Sequence, residues 1–216
     1  MEKYRTIAKN GEAEIVIKKS RFIASIARVE SETEAQTFLE ETRQKFAKAT
    51  HHCFAYQLGF NNEIQRMSDD GEPSGTAGAP ILDVLEKQQL NNLICVVTRY
   101  FGGIKLGAGG LIRAYSHATS NVIQITGLVA GIQQQRYRLT IDYHQLPILT
   151  NYLTQQAIVV AATEYTEQVQ IAIWLNDDQV DDTQVQITNL LAGQVSFVKE
   201  SAGFNEVPIQ NTEDLD

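Results

Sequence analysis

The chain has 216 residues, 43% of them hydrophobic and 20% charged, with a net charge of −8. That length fits two small domains of an ordinary globular protein, and the acidic balance argues against wholesale nucleic-acid binding. No apolar run approaches the ~20 residues that span a bilayer, and Met1-Glu2-Lys3-Tyr4-Arg5 lacks the apolar core of a signal peptide, so the expectation is a cytoplasmic protein without a membrane partner.

Ala13 to Ile17 and Arg21 to Val29 are rich in Ile, Val and Ala, which predicts two strands joined by a turn at Lys18-Lys19-Ser20. Ser31-Glu32-Thr33-Glu34 reads as a capping box opening a helix to about Lys48, with Ala35, Phe38, Leu39, Thr42 and Phe46 on one face. His52 to Leu58 alternates as a strand. Ser68 to Gly78 is turn-forming throughout, and Ala79-Pro80 opens a helix through Glu86. Leu93 to Arg99 is a β-branched run that predicts a strand buried on both faces; a Gly-rich loop and a helix from about Gly110 to Ile125 follow. Cys53 and Cys95 sit in apolar surroundings without CxxC spacing, so both are expected as reduced, buried thiols, with no disulfide or metal.

In the second half, Gln133 to Tyr143 alternates as a strand and His144 to Gln156 has helical spacing. Ile158 to Tyr165 and Gln168 to Leu175 read as paired strands, Asp177 to Leu191 as an amphipathic helix, and Gln194 to Glu200 as a last strand. This β-α-β-β-α-β order is the ferredoxin-like pattern. The expected division is an α+β domain over 1–128, a second domain over 129–205, and an acidic tail over 206–216 that frays.

Charge is unevenly distributed. Residues 87–141 carry six cations, Lys87, Arg99, Lys105, Arg113, Arg136 and Arg138, and no carboxylate; residues 142–216 carry Lys199 against 12 acids. Within the acid-free window, the strand ending at Arg99 feeds Tyr100-Phe101-Gly102-Gly103-Ile104-Lys105-Leu106-Gly107-Ala108-Gly109-Gly110 and then a helix carrying Arg113. Glycines let backbone N–H groups approach a ligand, and a helix N-terminus favours negative charge, so this segment is a candidate phosphate or carboxylate site. Arg99, Lys105 and Arg113 supply neutralising charge, and Tyr100 and Phe101 offer a stacking face to unpaired bases. The alternative is close packing, with the glycines letting helix and strand approach. The segment is neither a Walker A loop, lacking Gly-Lys-Ser/Thr, nor a dinucleotide fingerprint, because Ile112 stands where that pattern needs Gly.

Asp69, Asp70 and Glu72 form an acidic turn. Three readings remain open: solvated turn chemistry, a divalent-cation site, or carboxylates that organise the basic segment by pairing with Arg99 or Arg113. His51-His52-Cys53 offers nucleophile-type residues, but neighbours on a strand point to alternate faces and do not converge.

Four segments together resemble the YigZ/IMPACT family: Lys19-Ser20-Arg21-Phe22-Ile23; His51-His52-Cys53-Phe54-Ala55-Tyr56; Ser68-Asp69-Asp70-Gly71-Glu72-Pro73 with Gly75-Thr76-Ala77-Gly78; and Val97-Thr98-Arg99-Tyr100-Phe101-Gly102-Gly103 with Leu106-Gly107-Ala108-Gly109-Gly110-Leu111 and Arg113-Ala114-Tyr115. The resemblance implies an N-terminal domain similar to the second domain of ribosomal protein S5, as in domain IV of elongation factor G, and a ferredoxin-like C-terminal domain similar to domain V of that factor. It further implies an association with RNA or the ribosome and translation regulation, with no established enzymatic activity and no cofactor. The eukaryotic relatives interfere with activation of a kinase acting on a translation initiation factor, using an additional N-terminal domain outside the matching segments.

The sequence thus carries three functional expectations. The first is an RNA- or ribosome-binding protein using Arg99, Tyr100, Gly102, Gly103, Lys105, Gly107, Gly109, Gly110 and Arg113, with Arg21, His52, Asp69, Asp70 and Glu72 organising the site. The second is a small-molecule phosphate- or nucleotide-binding enzyme using the same loop with Asp69, Asp70 or Glu72. The third is a protein–protein regulator, with a partner in the translation machinery, acting through the acidic C-terminal domain.

Overall fold

A computed structural model describes residues 2–209, of which Glu2 and Lys3 are described by backbone alone. The chain divides into two compact units: residues 131–206, and residues 2–130 together with the end of the last strand from Val207. No helix among the described residues is long and apolar enough to cross a membrane.

The N-terminal unit begins with β1 (Glu2–Ile7) and is built on an antiparallel sheet in the order β2-β3-β6-β4-β5, from β2 (Gly11–Ile17), β3 (Ser20–Arg28), β4 (His51–Leu58), β5 (Ile64–Ser68) and β6 (Leu93–Tyr100). The central strand β6 shows why a continuous apolar run was needed. Its odd residues Leu93, Cys95 and Val97 join one core with Ile81 and Leu85 of α2 (Gly78–Lys87) and Tyr115, Ala118 and Val122 of α3 (Ala108–Thr126). Its even residues Ile94 and Val96 join a second core with Ala35 and Leu39 of α1 (Glu32–Lys45). Helices therefore cover both faces, and successive side chains serve different cores.

Ser31 caps α1 as expected, accepting from Glu34 N, but the reciprocal arm is displaced by one residue: Glu34 Oε2 accepts from Glu30 N at 2.8 Å, ahead of the cap. Strands β1 and β5 were not anticipated. The β5 sequence, IQRMS, lies at the sheet edge with no fully buried residue, so it carries no apolar alternation.

In the C-terminal unit β7 (Leu128–Ile141), which continues out of the N-terminal unit, pairs antiparallel with β9 (Val169–Leu175), and β9 with β8 (Val160–Tyr165); β10 (Ser196–Ile209) also pairs with β7. Helices α4 (Leu146–Gln155) and α5 (Val180–Leu190) supply Leu149, Leu153 and Ile187 to a core with Leu139, Ile141, Ile171 and Ile173. The β-α-β-β-α-β order is as read from the sequence. The fraying expected from Asn205 on is corrected: β10 runs to Ile209 in alternating burial, and Ile209 packs on the larger N-terminal core. The rest of the expected acidic tail, 210–216, lies outside the described residues.

Candidate functional site

Strand parity decides which predicted residues meet. Arg99 continues the series Leu93, Cys95, Val97 and so projects toward the face covered by α2 and α3. On β4, Cys53 and Ala55 occupy that same face, which places His51 with them and His52 on the opposite one. On β3, Phe22 and Ala24 share the face, as does Ser20, while Arg21 projects away. Arg21 instead holds Glu14 through two hydrogen bonds, at 2.7 and 2.8 Å, and its guanidinium lies 5.1 Å from the Tyr100 ring centre. Of the two histidines, the one that joins the site is thus His51, not the expected His52.

Arg99 is only 5% exposed. Its Nη1 donates to Glu72 Oε1 at 2.5 Å and its Nη2 to Ser20 Oγ at 3.4 Å; the guanidinium carbon lies 5.2 Å from the Phe22 ring centre and 5.4 Å from that of Phe101. The Tyr115 hydroxyl donates to the same Glu72 oxygen at 2.8 Å, and the Cys53 sulfur lies 3.3 Å from the Tyr115 oxygen. Burial pushes the Cys53 thiol up to about 12 and raises Tyr115 as well, so both are neutral donors under ordinary conditions. Glu72 Oε2 has no hydrogen-bond donor among the described residues and lies 4.0 Å from His51 Nε2.

The other two acids of the turn go elsewhere. Asp69 accepts the backbone N–H groups of Gly75, Ala77 and Gly78 at 2.8 to 3.0 Å. Burial works to raise its pKa, but those N–H groups outweigh it and hold the carboxyl below its ordinary value. Asp70 accepts from His52 N at 2.6 Å and lies 3.6 Å from Arg43 Nη2, while burial depresses His52 below its ordinary value. The three carboxylates therefore address three separate sets of partners and do not converge, and no cluster of three or more metal-ligating side chains occurs among the described residues.

The Gly-rich loop closes over this cluster. Gly102 N donates to Ser20 Oγ at 3.1 Å, and a Cβ on Gly102 would sit 2.1 Å from the Lys19 carbonyl carbon, so the loop crosses β3 in a way only glycine allows. At Gly107, with φ +75° and ψ 167°, the chain turns into α3 with no side-chain cap. Leu111 N bonds to Gly107 O, leaving the N–H groups of Ala108, Gly109 and Gly110 without a helical acceptor. The helix start, at Gly107 and Ala108, lines a cavity of about 420 Å³ whose polar lining includes His51, Glu72, Arg99 and Lys105 and whose apolar lining includes Pro73, Phe101, Leu106 and Leu111. A wider depression of about 710 Å³ on the same unit, near Phe60 and Asn91, contains none of the predicted site residues.

The acid-free window looks different once its partners are known. Lys87 pairs with Asp83, Arg99 with Glu72, and Arg136 and Arg138 both with Glu200, so carboxylates from outside the window neutralise four of its six cations. Lys105 and Arg113 have no carboxylate partner among the described residues, and both are exposed. Lys105 lines the cavity, and Arg113 folds back so that its Nη1 is 3.7 Å from the position of a Cβ on Gly109. His51, Ser20, Thr50 and Tyr115 belong to the site but were not predicted there. The parity of His51 with Cys53 and of Ser20 with Phe22 was the available signal, and Tyr115 was marked only by its place in the Arg113-Ala114-Tyr115 motif.

The family described as Impact N-terminal domain matches residues 18–123, and the one described as Domain of unknown function (DUF1949) matches residues 139–194. A Bacillus subtilis protein named IMPACT family member YvyE is 42% identical over 93% of this chain and 92% of its own length. IMPACT family member YigZ of Escherichia coli is 32% identical over 84% and 90% respectively. The match to a Dictyostelium discoideum protein named Protein IMPACT homolog is 39% identical but covers 51% of this chain and 32% of that one. A solved structure titled "Crystal structure of an hypothetical protein" superposes with a TM-score of 0.58 at 30% identity, covering 93% of this chain and 98% of that one.

Proposed function

The chain belongs to the IMPACT family, and from that premise we propose that it is a cytoplasmic RNA-binding protein linked to translation, which takes a phosphate group at the N-terminus of α3. The carrying observation is the pairing pattern. The two cations of the acid-free window without a carboxylate among the described residues, Lys105 and Arg113, stand near the Gly107-capped start of α3, which has no side-chain cap and adjoins the cavity. A phosphate there meets three N–H groups, the positive end of a 19-residue helix and the Lys105 ammonium. Arg99 serves from below as a buried, Glu72-neutralised support, with its Nε still lacking an acceptor. Phe101, 48% exposed at the rim, offers a ring for stacking.

The same reading treats the N-terminal unit as S5 domain 2-like and the C-terminal unit as ferredoxin-like. Support for the second lies in the β-α-β-β-α-β order with β7 bonded to both β9 and β10. Ribosomal RNA is the natural source of phosphate under this reading, and the resemblance to elongation-factor domains motivates it.

Filter binding to single-stranded RNA across a salt series tests the proposal. Wild type should show a steep log–log salt slope, and Lys105→Ala or Arg113→Ala should each reduce it by about 0.7. Identical slopes in wild type and both variants would exclude this site.

A further inference from the structure

The cavity floor presents acceptors as well as donors, and an anion satisfies only the donors. His51 Nδ1 lies 2.7 Å from the Asp70 carbonyl oxygen. A carbonyl only accepts, so Nδ1 carries the proton, and in the Nδ1–H tautomer Nε2 keeps a lone pair. Glu72 Oε2 stands 4.0 Å from that nitrogen, on a side chain only 4% exposed, and has no donor. In that tautomer two acceptors at that distance do not satisfy each other, and neither atom is fully enclosed, so both are open to a donor in the cavity. Both side chains line the cavity that receives the α3 N-terminus. Both fit a hydrogen-bond donor that enters with the anion.

We infer that this donor is the ribose 2′-hydroxyl next to the bound phosphate, so that His51 and Glu72 make the site selective for RNA over DNA. The inference rests on the RNA-phosphate reading and adds a sugar preference to it. In RNA the phosphate and the 2′-hydroxyl hang from neighbouring carbons of one ribose, so anion and donor arrive together. DNA brings the anion alone and offers Nε2 and Oε2 no donor. A 2′-O-methyl sugar keeps the oxygen but has no hydrogen to give. A cavity of about 420 Å³ has the size expected for a site holding one nucleotide. His51 is held ready for this role, because the Asp70 carbonyl fixes both its ring orientation and its tautomer.

The test is fluorescence anisotropy with one short single-stranded sequence made as RNA, as DNA and as 2′-O-methyl RNA, each at several salt concentrations. Wild type should bind RNA about tenfold or more tightly than the other two, the worth of one hydrogen bond to a charged acceptor. His51→Asn is the informative variant. Its amide nitrogen replaces Nδ1 as donor to Asp70, and nothing replaces Nε2. It should bind RNA at the DNA level, and His51→Gln, with an amide oxygen near the Nε2 position, should recover part of the preference. The wild-type comparison of the three polymers needs no variant and stands even where a substitution disturbs folding. Equal wild-type affinity for all three, with a steep salt slope, overturns the sugar preference and leaves the phosphate site. Binding of none of them overturns the phosphate reading, and the sugar preference falls with it.

Discussion

Two loops meet at the cavity, and they are built in opposite ways. The loop between β5 and α2 engages every carboxylate internally: Asp69 in its own backbone, Asp70 with His52 and Arg43, and Glu72 with Arg99 and Tyr115. The loop between β6 and α3 makes few internal bonds after Gly102 and leaves its lysine and three helix-start N–H groups open. The contrast separates structure from binding in a segment where charge counting alone merges them. The acids hold the framework, with Glu72 Oε2 alone left facing the cavity, and the open backbone donors are those at the end of the glycine loop.

Substitutions can break that contrast, beginning with the largest expected effect. Glu72→Ala strands a buried guanidinium and should cost about 3–5 kcal/mol in urea unfolding. A loss below about 1 kcal/mol would mean that the pair behaves as a surface ion pair. Asp69→Ala removes one acceptor for three backbone N–H groups and should cost about 2 kcal/mol by the same measurement. Gly107→Ala should cost about 1–3 kcal/mol through backbone strain alone, because φ +75° with ψ 167° is open essentially only to glycine. Lys105→Ala and Arg113→Ala should stay within about 0.5 kcal/mol of wild type. If they destabilise as much as Asp69→Ala, the glycine loop is framework too and the contrast fails.

Titration sharpens the same division. Asp69 is depressed in the folded state, so its contribution is full above its ordinary value near 3.8 and is lost as pH falls through the lower folded value. His52 is also depressed, so the unfolded chain takes up its proton first, and stability falls as pH drops below about 6.5. Melting temperature followed downward from neutral pH should show both losses, and His52→Gln should remove the upper one. The smallest effect is chemical. Cys53 and Cys95 are buried and pushed up to about 12, so neither should react with a thiol reagent near neutral pH until the protein unfolds.

Much of the architecture was legible because hydrophobic period and core position coincide. The run Leu93–Val97 announced a strand buried on both faces, and the structure divides it between two cores. β5 was illegible because an edge strand with mixed burial has no alternation to detect. In the site, the Arg99–Glu72 pairing was one of the open readings, since two charged residues in neighbouring motifs attract whatever their separation of 27 positions. The choice of His51 over His52 required parity across three strands, which a single strand's pattern does not supply. The neutralisation of Arg136 and Arg138 by Glu200 was hidden for a further reason: a charge count over a contiguous window ignores partners brought in by folding.

The most direct measurement is a set of amide NMR spectra recorded while a short single-stranded RNA is added to the full chain. Binding at the glycine loop predicts the largest shifts at the N–H groups of Ala108, Gly109 and Gly110, with smaller ones at His51 and Phe101 and none in the acidic first turn of α5, at Asp181 and Asp182. Shifts concentrated in the C-terminal unit, with Ala108 to Gly110 unmoved, would contradict the assignment of the anion site.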